Sequence, residues 1–248
     1  MDSIRAVLLP LVAAATVAGA AWGMLVPGLV DRYAVAWPDG RPKPPWRTAC
    51  PRCGATRPPW WRSSGRCAGC GRRPRPGRAV TVPLSAGTCG IAAVSVGPGT
   101  ALPAFLLLAA LAVPLALVDL RVLRLPDPLV GAAFLGGAAF LPLAGQAVPA
   151  LVRALLATVL CAVGYGTLAL LPRSPLGFGD VKLGAVLGLH LGWLGWPTVA
   201  LGVLLAPLVN LPFVGGLLLT RRAGWRTPVP YGPAMLGAAL LAMLVGAP

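Results

Sequence analysis

The amino-acid sequence predicts an all-α polytopic membrane protein, with about eight transmembrane helices and one small cysteine-bearing loop on the cytoplasmic side. Three observations carry that expectation. Of the 248 residues, 57% are hydrophobic and only 11% are charged, more apolar than the surface of a water-soluble domain of this size allows. Several windows of about 20 residues are almost free of charge, which is the length that crosses the hydrocarbon core. The basic residues fall in blocks between those windows rather than within them.

The apolar segments lie roughly at 4–27, 80–97, 101–119, 128–145, 149–171, 181–196, 197–220 and 230–247. The second and sixth are short, and Gly and Pro interrupt many of them. Membrane bundles tolerate such residues because neighbouring helices satisfy the freed backbone groups. The first segment opens as a secretory leader would, in "MDSIRAVLLP". Its apolar run exceeds a typical leader core and no small-x-small cleavage site follows, so a retained first span is expected.

Charge sets the orientation. Residues 31–78 carry twelve Lys or Arg, from Arg32 to Arg78, and a short loop this basic stays in the cytoplasm. Alternating along eight spans then brings in Arg121 and Arg124, Arg173 and Lys182, and Arg221, Arg222 and Arg226. Nineteen of the 21 basic residues fall inside, leaving Arg5 and Arg153 outside together with both termini. The net charge of +15 is explained by basic loops lying against anionic membrane lipid. No aromatic-basic interleaving points to nucleic acid, and none is expected as a partner.

Within the basic loop, "CPRCGATRPPWWRSSGRCAGC" sets Cys50, Cys53, Cys67 and Cys70 as two C-x2-C pairs thirteen residues apart. Each pair can aim two thiolates at one tetrahedral ion. Gly54, Gly69 and Gly71 flank the pairs, where tight backbone is needed. Nine prolines and few aliphatic residues between 31 and 78 leave the loop no core of its own, and a structural zinc would supply the missing folding energy in a zinc-ribbon-like fold. Two disulfides or an iron centre are the alternatives, and a cytoplasmic loop argues against disulfides. Four thiolates leave no open coordination position, so this metal is not expected to be catalytic. Cys89 and Cys161 fall in apolar segments and read as small core residues.

The chain has six acidic residues, all aspartate. Asp2, Asp31 and Asp39 read as solvated surface charges. Asp119, Asp127 and Asp180 remain, each at the cytoplasmic edge of a span, where an ionisable group is a functional candidate. Two aspartates brought together can share a proton, one serving as base to water and the other as acid to the leaving amine. With no glutamate and with His190 the only histidine, H-E-x-x-H metal chemistry is unavailable, and no G-x-S-x-G elbow supports a serine triad. His190 reads as a packed helix residue. In "PLGFGDVKLG", Gly177 and Gly179 let backbone approach Asp180, while Lys182 either biases the acids or anchors the helix. Taken alone, these aspartates also fit structural ion pairs or helix caps.

Taken in order, these motifs resemble the prepilin peptidase family, the G-x-G-D membrane aspartic proteases that process type IV pilins and secretion pseudopilins. The paired-cysteine loop comes first, followed by "DLRVLRLPD", "GFGDVKLGAVLGLHLGW" and a Pro-rich turn, "PVPYGPAML". The resemblance implies catalytic Asp119 and Asp180, supported by Gly177, Gly179 and Lys182, with Asp127 at a position where Asn also occurs. It implies a prepilin or pseudopilin substrate, cut after a glycine at the cytoplasmic boundary of a bacterial inner membrane. Residues 1–30 would then be the first span, 31–79 the metal loop and 80–248 the peptidase domain. Many members also methylate the new N-terminus with S-adenosylmethionine, a function associated with the N-terminal region. Here "GMLVPGLVDRYAVAWP" lacks the family's Ser-Phe-Leu-Asn core and "RRPRPGRAVTVPLSAG" lacks its Tyr-Pro-x-x-Glu element. S-adenosylmethionine is therefore a cofactor only if that activity is retained. The competing classes are a transporter using the same aspartates and a catalytically inactive pilus-assembly protein.

Overall fold

The computed structural model describes residues 2–36, 44–57, 59, 66–144, 148–172, 174, 176–219 and 229–246, with backbone alone for 2–5, 213–214 and 217–219. Asp39, Arg173, Arg221, Arg222 and Arg226 lie outside the described residues, as does the side chain of Asp2. The described residues form nine helices and no sheet beyond one isolated bridge, Ala49 with Thr56. They are α1 (Asp2–Gly23), α2 (Val26–Tyr33), α3 (Arg78–Val96), α4 (Leu102–Val122), α5 (Asp127–Leu143), α6 (Val148–Leu170), α7 (Phe178–Leu194), α8 (Trp196–Leu219) and α9 (Gly232–Val245).

Each of the eight apolar segments has its helix. Four of them, within α1, α3, α4 and α6, are long and apolar enough to cross a membrane, and α5, α9 and most of α8 form shorter apolar helices. Local chemistry marks where helices begin. Six of the nine carry proline as their second residue: Pro27, Pro103, Pro128, Pro149, Pro197 and Pro233. A proline there loses no hydrogen bond, since the first-turn N–H groups have no intrahelical partner, and its φ is already helical. The first apolar run does not continue to residue 27 as one helix. It breaks after Gly23, and α2 follows as a separate short helix.

Small residues then decide which helices meet. Gly184, Gly188 and Gly192 recur every four residues on α7, so they lie on one face. A Cβ at Gly188 would stand 2.5 Å from the Ala157 carbonyl oxygen, and one at Gly192 would stand 2.6 Å from Ala157 Cβ. That closeness seats α6 along α7. Gly23 does the same between α1 and α3, where an added Cβ would lie 2.7 Å from the Thr81 carbonyl oxygen. A Gly188→Val substitution is expected to cost about 1–3 kcal/mol through overpacking, read as a lower melting temperature in detergent.

Helix α4 is central, packed on α2, α3, α5 and α9. Its Pro114 has no N–H to give the Ala110 carbonyl, and the Trp22 indole of α1 donates to that oxygen at 2.8 Å. At the far end of the α6–α7 hairpin, Arg153 donates to the carbonyls of Gly192 and Trp193, both at 2.7 Å, and so caps α7. His190 is fully buried with its ring edge against Phe105, and Cys89 and Cys161 are buried in the core. All three pack as the sequence predicts.

Candidate active site

Both predicted aspartates are buried, Asp119 near the end of α4 and Asp180 in the first turn of α7. Helix α4 stops just past Asp119 because Leu123 turns left-handed at φ 52° and its N–H bonds back to the Asp119 carbonyl at 2.8 Å. Leu125 precedes Pro126, which favours extended backbone, and α5 starts at once with Asp127. The "RLPD" element is thus a hairpin turn between two helices.

Each carboxylate accepts one backbone hydrogen bond. Asp119 Oδ2 takes the Gly232 N–H at 3.0 Å, from the first turn of α9. Asp180 Oδ2 takes the Gly177 N–H, also at 3.0 Å, closing the first turn of α7 on itself. Leu125 joins the two places. A Cβ on Gly179 would lie 3.2 Å from Leu125 Cβ, and one on Gly232 would lie 3.3 Å from Leu125 Cδ2. The acids from α4 and α7 are electrostatic neighbours. Tyr165 of α6 and Tyr231, just ahead of α9, also lie within electrostatic reach of Asp180.

Asp127 and Lys182 form a separate pair at 2.7 Å, both well exposed. It ties the start of α5 to the start of α7. Sequence reading missed Gly232, Leu125, Tyr165 and Tyr231. Gly232 had a signal, the "YGP" before the last helix, whereas the tyrosines become neighbours of Asp180 only through helix packing. A Cβ on Gly232 would stand 2.8 Å from Asp119 Oδ2. Gly232→Ala should therefore lower turnover by about 10- to 100-fold through displacement of that carboxylate. Gly131→Ala, which meets nothing within 4 Å, is the control and should leave the rate unchanged.

At the same end of the bundle the cysteines form two matching knuckles. Gly54 N–H bonds to the Cys50 carbonyl and Gly71 N–H to the Cys67 carbonyl, each at 2.9 Å. Both glycines have positive φ, 71° and 67°, where a side chain would be strained. All four sulfurs lie within 4.8 Å of one another, with Cys50–Cys70 at 3.8 Å and Cys53–Cys67 at 3.5 Å, and none is in a disulfide. Four ligands at a tetrahedral Zn–S distance stand about 3.8 Å apart, so the set fits a metal ion of that kind. N–H groups of Arg52 and Cys53 draw the Cys50 thiol down to about 6, and those of Cys70 and Gly69 lower Cys67. At Cys53 the Ala55 N–H is outweighed by the Cys67, Cys70 and Cys50 sulfurs, which push that thiol up to about 11. Donors aimed at sulfur favour the thiolate that a metal needs.

Asp31 is not the solvated charge the sequence suggests. It is 1% exposed, inside α2, and three loop arginines converge on it. Arg57 follows the first knuckle and pairs with Oδ2, while Arg72 follows the second and reaches Oδ1 at 3.4 Å. Arg47 reaches Oδ1 at 3.5 Å and bonds the Asp31 and Ala34 carbonyls at 2.9 and 3.1 Å. Next to Arg47, Trp46 stacks edge-on against Tyr33, and its ring lies under Arg124, 4.3 Å from ring centroid to guanidinium carbon. The cysteine loop is thereby fixed both to α2 and to the turn after Asp119.

A model of the type IV leader peptidase family matches residues 105–247, which include both aspartates. Three similar proteins are named prepilin leader peptidase/N-methyltransferase. The one from Aeromonas salmonicida (strain A449) is 31% identical over 215 residues, covering 81% of this chain and 72% of its own. That from Burkholderia pseudomallei (strain K96243) is 32% identical, covering 89% and 72%. The Aeromonas hydrophila protein is 35% identical, covering 73% and 63%. No solved structure gives a significant match. With the family match reaching from α4 to α9 and relatives aligned across most of the chain, this protein belongs to the type IV leader peptidase family of membrane proteases.

Proposed function

We propose that this chain cleaves the leader peptide of type IV prepilins or pseudopilins with Asp119 and Asp180 as its catalytic pair. The observation that carries the reading is the convergence of two buried aspartates from separate helices, each held by one backbone N–H. Those donors occupy Oδ2 of each acid and leave Oδ1 for the reaction. One carboxylate takes a proton from water as the water oxygen bonds the scissile carbonyl carbon, while the protonated partner hydrogen-bonds the carbonyl oxygen. The tetrahedral adduct then breaks its C–N bond, and the departing amine takes the proton that the base removed. The pair titrates as a unit sharing one proton.

The proposed topology has eight spans, with the α4–α5 turn, the start of α7 and the cysteine loop at the cytoplasmic side of a bacterial inner membrane. The first span is then α1, with α2 leading from it into the metal loop that runs to residue 79, and 80–248 form the peptidase domain. A cationic leader and an apolar stalk both suit a boundary site. In this reading the metal is structural zinc held by Cys50, Cys53, Cys67 and Cys70. Metal analysis should give about one zinc per chain, lost on serine substitution of the four cysteines; a zinc-free protein with disulfides would overturn it. The relatives' names include N-methyltransferase, but this chain has no glutamate and departs from the N-terminal pattern, so proteolysis is the activity proposed. Incubating the purified protein with a prepilin and labelled S-adenosylmethionine tests both at once, with leader removal expected. Intact prepilin would refute the peptidase reading, and proton-coupled flux in proteoliposomes would favour the transport class instead.

A further inference from the structure

A second site emerges beside the cysteine loop, where α2 meets the start of α3. A cavity of 440 Å³ lies between that loop, α2 and the start of α3, with Arg66, Arg73 and Arg78 on its wall beside Pro27, Pro74 and Ala79. That volume suits a small polar ligand. No carboxylate is among its described lining residues, and Asp31, the acid in α2, already holds Arg47, Arg57 and Arg72. Three arginines line one cavity with no carboxylate among its described lining residues, and an anion bound between them relieves their mutual repulsion. Guanidinium forks match phosphate oxygens in geometry as well as charge.

Position in the molecule narrows the anion. Arg78 Nε donates to the Met24 carbonyl at 3.3 Å, so the cavity sits where α1 ends and α3 begins, at one end of two candidate membrane spans. Just beyond it Met24, Val80 and Leu84 are 48%, 45% and 46% exposed, and Val80 and Leu84 share one face of α3 by their spacing. A cationic cavity at the start of a helix that exposes apolar residues within its next two turns suits a molecule with phosphate at one end and hydrocarbon at the other. We propose that Arg66, Arg73 and Arg78 bind the headgroup phosphate of an anionic phospholipid whose acyl chain lies along Val80 and Leu84.

The test is native mass spectrometry of the full-length, delipidated protein in detergent, titrated with phosphatidylglycerol or with phosphatidylcholine of the same chain length. Phosphatidylglycerol should be retained at least about fivefold better, and Arg66→Gln/Arg73→Gln should weaken it by about fivefold per arginine removed, with phosphatidylcholine unchanged. Equal retention of the two lipids, or a variant that holds phosphatidylglycerol like the wild type, overturns the proposal. So does inorganic phosphate at millimolar concentration displacing the lipid completely, because the apolar strip would then contribute nothing. An unchanged melting temperature in detergent shows that a variant is folded. If the double glutamine variant melts much lower, Arg73→Gln and the charge-preserving Arg66→Lys/Arg73→Lys carry the same test, with about fivefold loss expected for the first and less than that for the second. The assay reads lipid alone, so its outcome is independent of peptide cleavage.

Discussion

Asp119→Asn and Asp180→Asn should each reduce leader-peptide cleavage by at least about 10³-fold, the scale on which paired acid–base groups act. Asparagine keeps the shape and still offers one oxygen to the Gly232 or Gly177 N–H, so the helix ends stay where they are. What is lost is the ability to hold and release a proton. On the proposed mechanism the two acids act as one unit, so the double variant should be no slower than either single one. Asp127→Asn is the internal contrast. Its carboxylate pairs with Lys182 at an exposed site, where an ion pair contributes about 0–1 kcal/mol, and cleavage should stay within a few-fold of wild type. Timed cleavage of a co-expressed prepilin in membranes measures all four. Full activity in either dyad variant would end the assignment.

The second large effect concerns stability. Asp31→Asn should destabilise the cysteine loop by about 2–3 kcal/mol, because removing one partner of a buried ion cluster leaves the others uncompensated. The figure lies below the 3–5 kcal/mol usual for fully buried pairs because Arg47, Arg57 and Arg72 are 25%, 15% and 30% exposed and can recruit water. A lower melting temperature and faster metal loss to a chelator are the expected signs. The loop also stacks Trp46 beneath Arg124, five residues beyond Asp119, so a modest fall in cleavage rate should accompany the loosening. A variant that melts and holds metal like the wild type would show that the arginine cluster contributes little.

What could be read from the sequence follows a physical division. Hydropathy located eight helices to within a few residues, and the prolines that open six of them mark starts by a local steric rule. The two knuckles were legible because C-x2-C spacing and its following glycine are local. Elimination in a chain with so few acids left Asp119, Asp127 and Asp180, and the family resemblance singled out the first and the last. Asp31 was misread because its burial depends on three arginines folding back from up to 41 residues away, and a charged residue after an apolar run carries no mark of that. The break after Gly23 was hidden since residues 24–30 are nearly as apolar as those before them. Leu125 and Tyr165 look like any other apolar-segment residues until helices are packed.

Leu125 carries a consequence of its own. It fills the space between the residue beside Asp180 and the residue that bonds Asp119, so a hydrocarbon side chain acts as the spacer for the pair. The pitch of the two acids is then set by a packing volume. Proton sharing falls off steeply with separation, so a change of one methylene at this uncharged position can retune the acidity of the pair while both acids stay in place.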